Sequence, residues 1–173
     1  MDTLLEKQPL EVQKNYAGFW IRFAASLLDG IIIAIPMTII FGIIFFLMFS
    51  SSGTFNVLTD PAALDTEITN EQIISLIVTY VIVVVLSIFL PLLYFALMHA
   101  SKWQATIGKK LLKLRVTDLQ GNRISFWRAV GRYLSMAFIS GIFYIGYIMA
   151  AFTEKKQGLH DLIAGTVVIK EAE

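Results

Sequence analysis

The sequence has no cysteine and little charge. With none among its 173 residues, disulfides, iron–sulfur clusters and thiol catalysis are excluded, and the redox compartment is left undetermined. Charged residues make up only 16%, against roughly 25% in soluble domains, while 57% of the residues are hydrophobic. So few charges cannot cover a soluble domain of this size. The composition therefore indicates an integral membrane protein in one domain, residues 1–173.

Signatures of catalysis are also missing. The sequence has only two histidines, and it shows no nucleophile–base pair, metal-ligand spacing or cofactor fingerprint. The stretch TIGKK, which starts at Thr106, lacks both the first glycine and the final Ser or Thr of a phosphate-binding loop. We therefore expect a protein that is not an enzyme and has no catalytic residue, cofactor or metal.

Long uncharged runs are what the sequence does have. The runs 30–49 and 73–98 carry no charge, and 20 residues at 1.5 Å each match a hydrocarbon core of roughly 30 Å. They predict two full transmembrane helices, at about 19–49 and 73–98. A third hydrophobic helical segment, 129–152, is interrupted by serine and glycine and has Arg132 in its first turn. It either crosses the membrane or re-enters as a hairpin.

The charges between these segments are strongly segregated. The loop 50–72 has four acidic residues and no Lys or Arg, whereas 99–132 has eight Lys or Arg and one acid. By the positive-inside rule, this multi-pass protein of the cell membrane has its N-terminus and basic segment in the cytoplasm and loop 50–72 outside. Three crossings would put the C-terminus outside, whereas a re-entrant third segment would keep it cytoplasmic.

The basic segment predicts a small cytoplasmic module, formed by 102–128 with 158–170. Residues 114–117 alternate like a strand, and the turn-forming 118–122 precede a short return strand at 123–125. Such a lone hairpin is marginal in water, so the strand-like 166–170 is a useful third partner if the tail is cytoplasmic. The fold class is then an all-α integral membrane protein with a small cytoplasmic β-hairpin or sheet, and the re-entrant alternative is favoured.

Two charged residues stand at the head of the first hydrophobic run. Arg22 and Asp29 are seven residues apart, so two helical turns place them on the same face. Arg22 alone could extend to lipid headgroups beside Trp20, but the short side chain of Asp29 cannot. Near the C-terminus, Asp161 in GLHDLIAGT could be no more than a carboxylate stabilised by the start of its own helix.

Together these features resemble the RDD family of membrane proteins. FWIRFAASLLDGII supplies Arg22 and Asp29, GLHDLIAGT supplies Asp161, and the resemblance extends from about residue 16 to 170. It implies that these three residues form a polar cluster near the cytoplasmic boundary, either structural or binding an ion or proton. The stretch 105–118 is similar to the family's central motif, which places motif residues at Thr106, Gly108, Lys109 and Arg115.

The resemblance and the charge pattern leave two functions open. The preferred one is a structural or accessory role, in which the cluster fixes the fold and the basic face binds anionic lipid or a partner. The alternative is a small cation/proton antiporter, suggested for some members of the family, in which Asp29 and Asp161 exchange a monovalent cation for a proton and Arg22 balances their charge. Two or three spans seldom enclose a pathway, so we expect a homo-oligomer. Nucleic acid is not an expected partner.

Overall fold

The computed structural model describes residues 15–51, 69–140 and 148–171. Most of these residues are helical, and a two-stranded antiparallel sheet completes the fold. Two of the helices are long and apolar enough to cross a membrane. The predicted all-α membrane fold with two transmembrane helices and a small sheet is thereby confirmed.

Helix α1 extends over Phe19–Ser51 and includes Pro36. Its 33 residues span about 50 Å, which is longer than a hydrocarbon core of roughly 30 Å. Large apolar side chains such as Ile31, Ile35 and Ile43 are more than half exposed along this helix, as expected of residues that face lipid. One end of α1 therefore extends past the hydrocarbon.

Helix α2 extends over Asn70–Ala100, slightly longer than the predicted 73–98. Thr69 caps its first turn, because the Thr69 hydroxyl accepts a hydrogen bond from the Gln72 N–H at 3.3 Å. In return, the side chain of Gln72 accepts from the Thr69 N–H at 2.9 Å. This reciprocal capping box satisfies backbone donors that the helix itself leaves unpaired. Most of loop 50–72, which the charges place outside, lies beyond the described residues.

The segment that follows α2 forms the predicted module. A short helix α3, Ile107–Leu111, leads into strand β1, Leu114–Asp118. Strand β2, Thr166–Lys170, pairs antiparallel with β1, so that Leu114 lies opposite Lys170 and Asp118 opposite Thr166. The predicted pairing of the C-terminal strand with 114–117 is confirmed.

The expected return strand at 123–125 is wrong. The chain does turn after β1, since the Gly121 N–H donates to the Asp118 carbonyl at 3.1 Å and Gly121 has a φ of 101°. Ser125 then caps the next helix, accepting a hydrogen bond from the Arg128 N–H at 3.3 Å. Helix initiation at 126 thus uses the residues that a hairpin would need, and β2 becomes the partner of β1.

The other edge of β2 is covered by the residues that precede α1. Tyr16 forms an isolated bridge with Ile169, and the Ala17 N–H donates to the Val168 carbonyl at 2.9 Å. The small sheet therefore has backbone partners on both sides of β2. These bonds also hold the beginning of α1 against the C-terminal strand.

The third hydrophobic segment is helical but broken. Helix α4, Phe126–Leu134, continues into a π-helical turn at Ser135–Ser140, and a 3₁₀ turn follows at Met149–Ala151. Residues 141–147 lie outside the described residues. Helix α5, Leu159–Ala164, packs against α4 and the π-helical turn and leads into β2. Because β2 pairs with β1, the chain returns to the end of the molecule that it left, in agreement with the re-entrant alternative.

The hydrophobic core is small and lies at that same end. It joins the first turns of α1 and the last turns of α2 to the sheet and to α4, which packs along α2. Its buried members are mostly small or β-branched residues: Ala17, Ala25, Ala96, Leu114, Val116, Ile124, Ala129 and Val168. The polar residues described next lie beside this core.

Candidate functional site

Asp29 is completely buried where α1 meets α2 and α3. One carboxylate oxygen accepts hydrogen bonds from the Tyr94 hydroxyl at 3.0 Å and from the Gly108 N–H at 2.8 Å. The other oxygen accepts from the Thr106 hydroxyl. A buried carboxylate is tolerated when its lone pairs are satisfied in this way. Asp29 therefore connects three elements of the fold, and we call these four residues the Asp29 group.

Close packing makes this group possible. A Cβ atom on Gly108 would lie 2.8 Å from the Asp29 nitrogen and 2.9 Å from its Cγ, and it would also collide with the Ala25 carbonyl oxygen. Only glycine lets the backbone of α3 approach α1 so closely. Tyr94 adds a second link, because its hydroxyl also accepts from the Ile107 N–H at 3.1 Å.

Asp161 is also completely buried, but its partners are charged. Arg132 donates to one carboxylate oxygen from Nε at 2.8 Å and from Nη2 at 2.7 Å. Arg22 donates to the other oxygen from its own Nη2. The Gly158 N–H, at 3.2 Å, and the Thr166 hydroxyl, at 3.3 Å, complete the set. We call these five residues the Asp161 group.

Arg22 points into the protein. Its side chain is 10% exposed, and its second terminal nitrogen donates to the carbonyl of Lys156. The alternative in which Arg22 extends to lipid headgroups does not describe this geometry. Asp161 combines both of its proposed roles, because it lies in the first turn of α5 and also pairs with two arginines.

A chain of polar contacts runs from the Asp161 group towards the Asp29 group. Arg132 Nη1 lies 3.5 Å from the ring nitrogens of His99, and Lys109 Nζ lies 3.0 Å from His99 Nε2. Lys109 also lies over the ring of Phe95, 5.7 Å from its centroid. Since Lys109 follows Gly108 directly, α3 holds Asp29 through its backbone and His99 through a side chain.

The three residues expected to form one cluster thus fall into two adjacent groups. The structure brings Arg22 and Asp161 into direct contact. Asp29 has hydrogen bonds to neither of them among the described residues, and α3 stands between the two groups. Counting Arg22, Arg132 and Lys109 against the two aspartates gives one excess positive charge when the lysine is protonated.

The surroundings shift the pKa values of three buried groups of the network outside the spanning helices: Asp161, Lys109 and His160. Burial disfavours the charged form of Asp161, but Arg132 and then Arg22 outweigh burial and hold the pKa of the carboxyl well below its usual value. Burial, followed by the charge of Arg132, lowers the pKa of Lys109 to about 7. Burial also lowers the pKa of His160 to about 3, although Asp161 opposes that shift.

The four residues of the central motif have different positions. Thr106 and Gly108 bind Asp29, and Lys109 contacts His99. Arg115 lies on β1 and pairs with Glu171, which is also 3.5 Å from Lys110. Arg115 therefore supports the sheet and belongs to neither group.

Sequence reasoning missed three members of this network: Tyr94, His99 and Arg132. Tyr94 and His99 lie within an otherwise apolar run, where a side chain that can hydrogen-bond needs a partner. Arg132 lies in the first turn of the third segment, where the 20 uncharged residues that follow it, 133–152, indicate a buried charge as they do for Arg22. Among the residues that the structure describes, no group of three His, Cys, Asp or Glu side chains could hold a metal ion.

Comparison with known proteins agrees with this architecture. The sequence profile of the RDD family matches residues 16–165, which include Arg22, Asp29 and Asp161, and the chain belongs to that family. Over 154 residues it is 42% identical to the uncharacterized protein YxaI of Bacillus subtilis (strain 168), covering 88% of this chain and 96% of that protein.

A second relative from the same organism, the uncharacterized membrane protein YteJ, is 33% identical over 162 residues. That match covers 90% of this chain and 82% of YteJ. The uncharacterized protein YckC of the same strain is 32% identical over 158 residues, covering 88% of this chain and 83% of YckC. No solved structure matches.

Proposed function

We propose that this chain has a structural or accessory role in the membrane. The hydrogen bonds and ion pairs of the two aspartate groups hold the elements of its fold together. The observation that carries the proposal is the complete burial of Asp29 and Asp161 among protein donors. Carboxylates that exchange cations need oxygens that an ion can reach. Here the oxygens already accept hydrogen bonds from several elements of the fold, which supports a structural role.

The proposed orientation follows the charges. The N-terminus, the module and the C-terminus are cytoplasmic, loop 50–72 is outside, and the protein lies in the cell membrane. The pairing of β2 with β1 supports a cytoplasmic C-terminus, because it brings the tail to the basic module. Single cysteines at Ser51 and Glu173 test this orientation in a chain that has none. An impermeant thiol reagent should label the first from outside and leave the second unlabelled.

The proposed partners are the bilayer and a second copy of this chain. Lys102, Lys110 and Lys113 are exposed on the module, where each basic residue near an anionic surface contributes about 1 kcal/mol to membrane attraction. A homo-oligomer would cover part of the apolar surface of α1 and α2. The proposal assigns no catalytic step to the chain.

Asp29→Asn tests the structural role. An asparagine keeps the shape but places an NH₂ group against donors, so either Thr106 or the pair Tyr94 and Gly108 loses its acceptor. Leaving a buried donor unsatisfied costs about 1–3 kcal/mol of folding free energy. Unfolding of the purified protein in detergent would measure this loss. Ser26→Ala is the control, since among the described residues the Ser26 hydroxyl bonds only to its own helix, at the Phe23 carbonyl, at 2.8 Å.

Cation/proton exchange is the second candidate, and one observation favours it. The pKa of Lys109, lowered to about 7, allows this buried side chain to gain or lose a proton near neutral pH. In this version Lys109 carries the proton, and the aspartates hold the surrounding helices.

Cation flux into liposomes under an imposed pH gradient separates the two functions. A structural protein should give no pH-driven flux. An antiporter should give flux that Lys109→Met abolishes while the protein stays folded. If the wild-type protein gives flux and folded Asp29→Asn gives it too, the antiporter function is supported, and its exchange site lies away from Asp29.

A further inference from the structure

A cavity of about 50 Å³ lies beside the Asp161 group. Four nitrogen-bearing side chains line it: Arg22, Lys109, Arg132 and His160. All four are at least nine-tenths buried. Among the described residues that line the cavity none is acidic, and the two arginines engage the carboxylate of Asp161. Its wall is therefore basic, although the larger network around it is nearly balanced.

The wall keeps donors that no described residue uses. A protonated lysine has three N–H donors, and Lys109 has one hydrogen-bond partner, His99. Arg22 has five donors and two described acceptors, the Lys156 carbonyl and Asp161. Buried donors of this kind bind an oxyanion more strongly than surface lysines do, since little water competes with the ligand.

The size of the cavity fits a small anion. One buried water needs roughly 10–15 Å³ on the same measure, so the space holds about three or four waters or the few atoms of a phosphate-sized group. A cation is disfavoured here, because it would have to approach Arg22, Arg132 and Lys109 with no acidic side chain in the wall.

Apart from Ser26, the remaining wall is apolar. Phe19 and Phe23 lie one helical turn apart with their rings stacked, 6.1 Å between centroids, and Phe23 is 46% exposed. Met136 and Ala150 line the other side. A ligand with a charged end and a hydrocarbon body matches this arrangement, with the charge among the nitrogens and the hydrocarbon along the phenylalanines.

We propose that the cavity binds one phosphate-type oxyanion, supplied by the headgroup of an anionic phospholipid seated beside the first turns of α1. The site differs from a diffuse attraction to the basic face, because it binds a single headgroup through buried side chains. The inference does not depend on the structural role or on the orientation of the chain in the membrane.

Native mass spectrometry of the full-length protein in detergent tests the site. Phosphatidylglycerol added at rising concentration should give one tightly bound lipid per chain. Phosphatidylcholine carries the same phosphate with a choline cation that the basic wall repels, so it should bind at least about tenfold more weakly. Inorganic phosphate added in competition distinguishes the sources. If it displaces the lipid, a free oxyanion can use the site; if it does not, the hydrocarbon body is needed as well.

Two variants make the test specific. Lys109→Gln removes one charge-assisted donor and should weaken the single lipid by about tenfold. Ser26→Leu keeps every charge but adds bulk to the wall of the cavity, so it should lose the lipid even if Lys109→Gln fails to fold. Arg123→Gln, on the exposed turn after β1, is the control that should bind as the wild-type protein does. Lys102→Gln, on the exposed basic face, reports on the diffuse attraction and should weaken the single lipid much less than Lys109→Gln does.

Three outcomes would overturn the proposal. The first is equal binding of phosphatidylglycerol and phosphatidylcholine. The second is a loss of lipid in Lys102→Gln as large as that in Lys109→Gln, which would indicate the diffuse basic face. The third is unchanged binding in folded Ser26→Leu.

Discussion

The two ends of the helix pair are built on different principles. At the module end, where the first turns of α1 and the last turns of α2 meet the sheet and α4, Asp29, His99 and Asp161 are buried. Their hydrogen bonds join several elements. Along the rest of α1, from residue 30 to 50, no described residue is buried. In α2 the residues before Ala96 include one buried side chain, Thr79, whose hydroxyl bonds to its own helix at Ser75.

The difference shows what holds a small membrane protein together. Lipid tails are as apolar as leucine, so burying leucine against another helix in the bilayer gains little. Hydrogen bonds and close packing must therefore fix the relative position of the helices. Among the described residues of this chain those interactions are concentrated at the module end, and the apolar surface of the rest faces lipid.

The largest expected effect is that of Arg132→Ala. It removes the two bonds that Arg132 makes to one oxygen of Asp161. Among the described residues, that buried carboxylate keeps Arg22 as its only arginine partner. Breaking a buried ion pair from one side costs about 3–5 kcal/mol, so the protein should unfold at much lower denaturant concentration in detergent. Loss of helical circular dichroism measures the transition.

Arg22→Ala should come next, because Arg132 then remains with Asp161. Arg123→Ala, on the exposed turn after β1, is the control and should change stability by no more than about 0.5 kcal/mol. If Arg132→Ala, Arg22→Ala and Arg123→Ala lowered the free energy of unfolding equally, the Asp161 group would not stabilise the module end.

The close approach between α1 and α3 predicts a further, smaller loss of stability. Gly108→Ala forces a Cβ into Asp29 and Ala25, and overpacking of this kind costs about 1–3 kcal/mol. Gly30→Ala is a matched control one residue beyond Asp29, where a Cβ would meet nothing within 4 Å. It should be neutral or slightly stabilising, because alanine favours a helix. Thermal unfolding of Gly108→Ala and Gly30→Ala measures the difference. A similar loss of stability in the two variants would contradict the close approach of α3 to α1.

Much of this comparison could be predicted from the sequence. The uncharged runs give the two spans, because a bilayer requires about 20 apolar residues in a helix. The alternation in 114–117 and the strand-like run 166–170 predict the two strands, and their pairing is predicted if the tail is cytoplasmic; the structure shows that pairing. The resemblance to a family supplies Arg22, Asp29 and Asp161 as the residues to examine, although it gives them no partners.

The partners themselves depend on the tertiary fold. Nothing local to Tyr94 indicates that its hydroxyl reaches Asp29, which is 65 residues away. Arg132 pairs with Asp161 only because α4 and α5 pack together after the third segment. The return strand at 123–125 failed for a local reason, since the signal for a helix cap at Ser125 competed with the pattern of a strand.

Acid should lower the free energy of unfolding through His160 and Asp161, which lie at the module end. The pKa of His160 is lowered to about 3 in the fold, so below pH 6.5 protons bind the unfolded chain in preference and stability falls as pH drops from 6.5 towards 3. The lowered pKa of Asp161 adds a further loss below about pH 4, where the unfolded carboxyl becomes protonated. Between pH 6.5 and 5 the share of His160 is about 2 kcal/mol.

His160→Gln isolates that contribution. The variant keeps the other titratable groups of the network, Asp161, Lys109 and His99, so any difference in pH dependence comes from His160. Its free energy of unfolding should fall less steeply than that of the wild-type protein over the same range. Parallel curves would mean that His160 is not buried as a neutral side chain.

The smallest loss of stability is expected from the apolar half of the helix pair, which lies away from the module. Two buried threonines, one in each part, allow the loss there to be compared with the loss at the module end. Thr106 and Thr79 are both buried, and replacing either by valine keeps the shape of the side chain and removes the hydroxyl. Thr106→Val deprives Asp29 of a hydrogen bond between elements and should cost about 1 kcal/mol. Thr79→Val removes a bond to Ser75 within one helix, where the same carbonyl stays in the helical ladder, so its cost should be close to zero, within about 0.5 kcal/mol. Unfolding of both variants in the same detergent gives the comparison directly. If Thr79→Val lowered the free energy of unfolding as much as Thr106→Val, polar contacts would also hold the helices together in the apolar half. The proposal that such contacts hold the fold together at the module end alone would then be wrong.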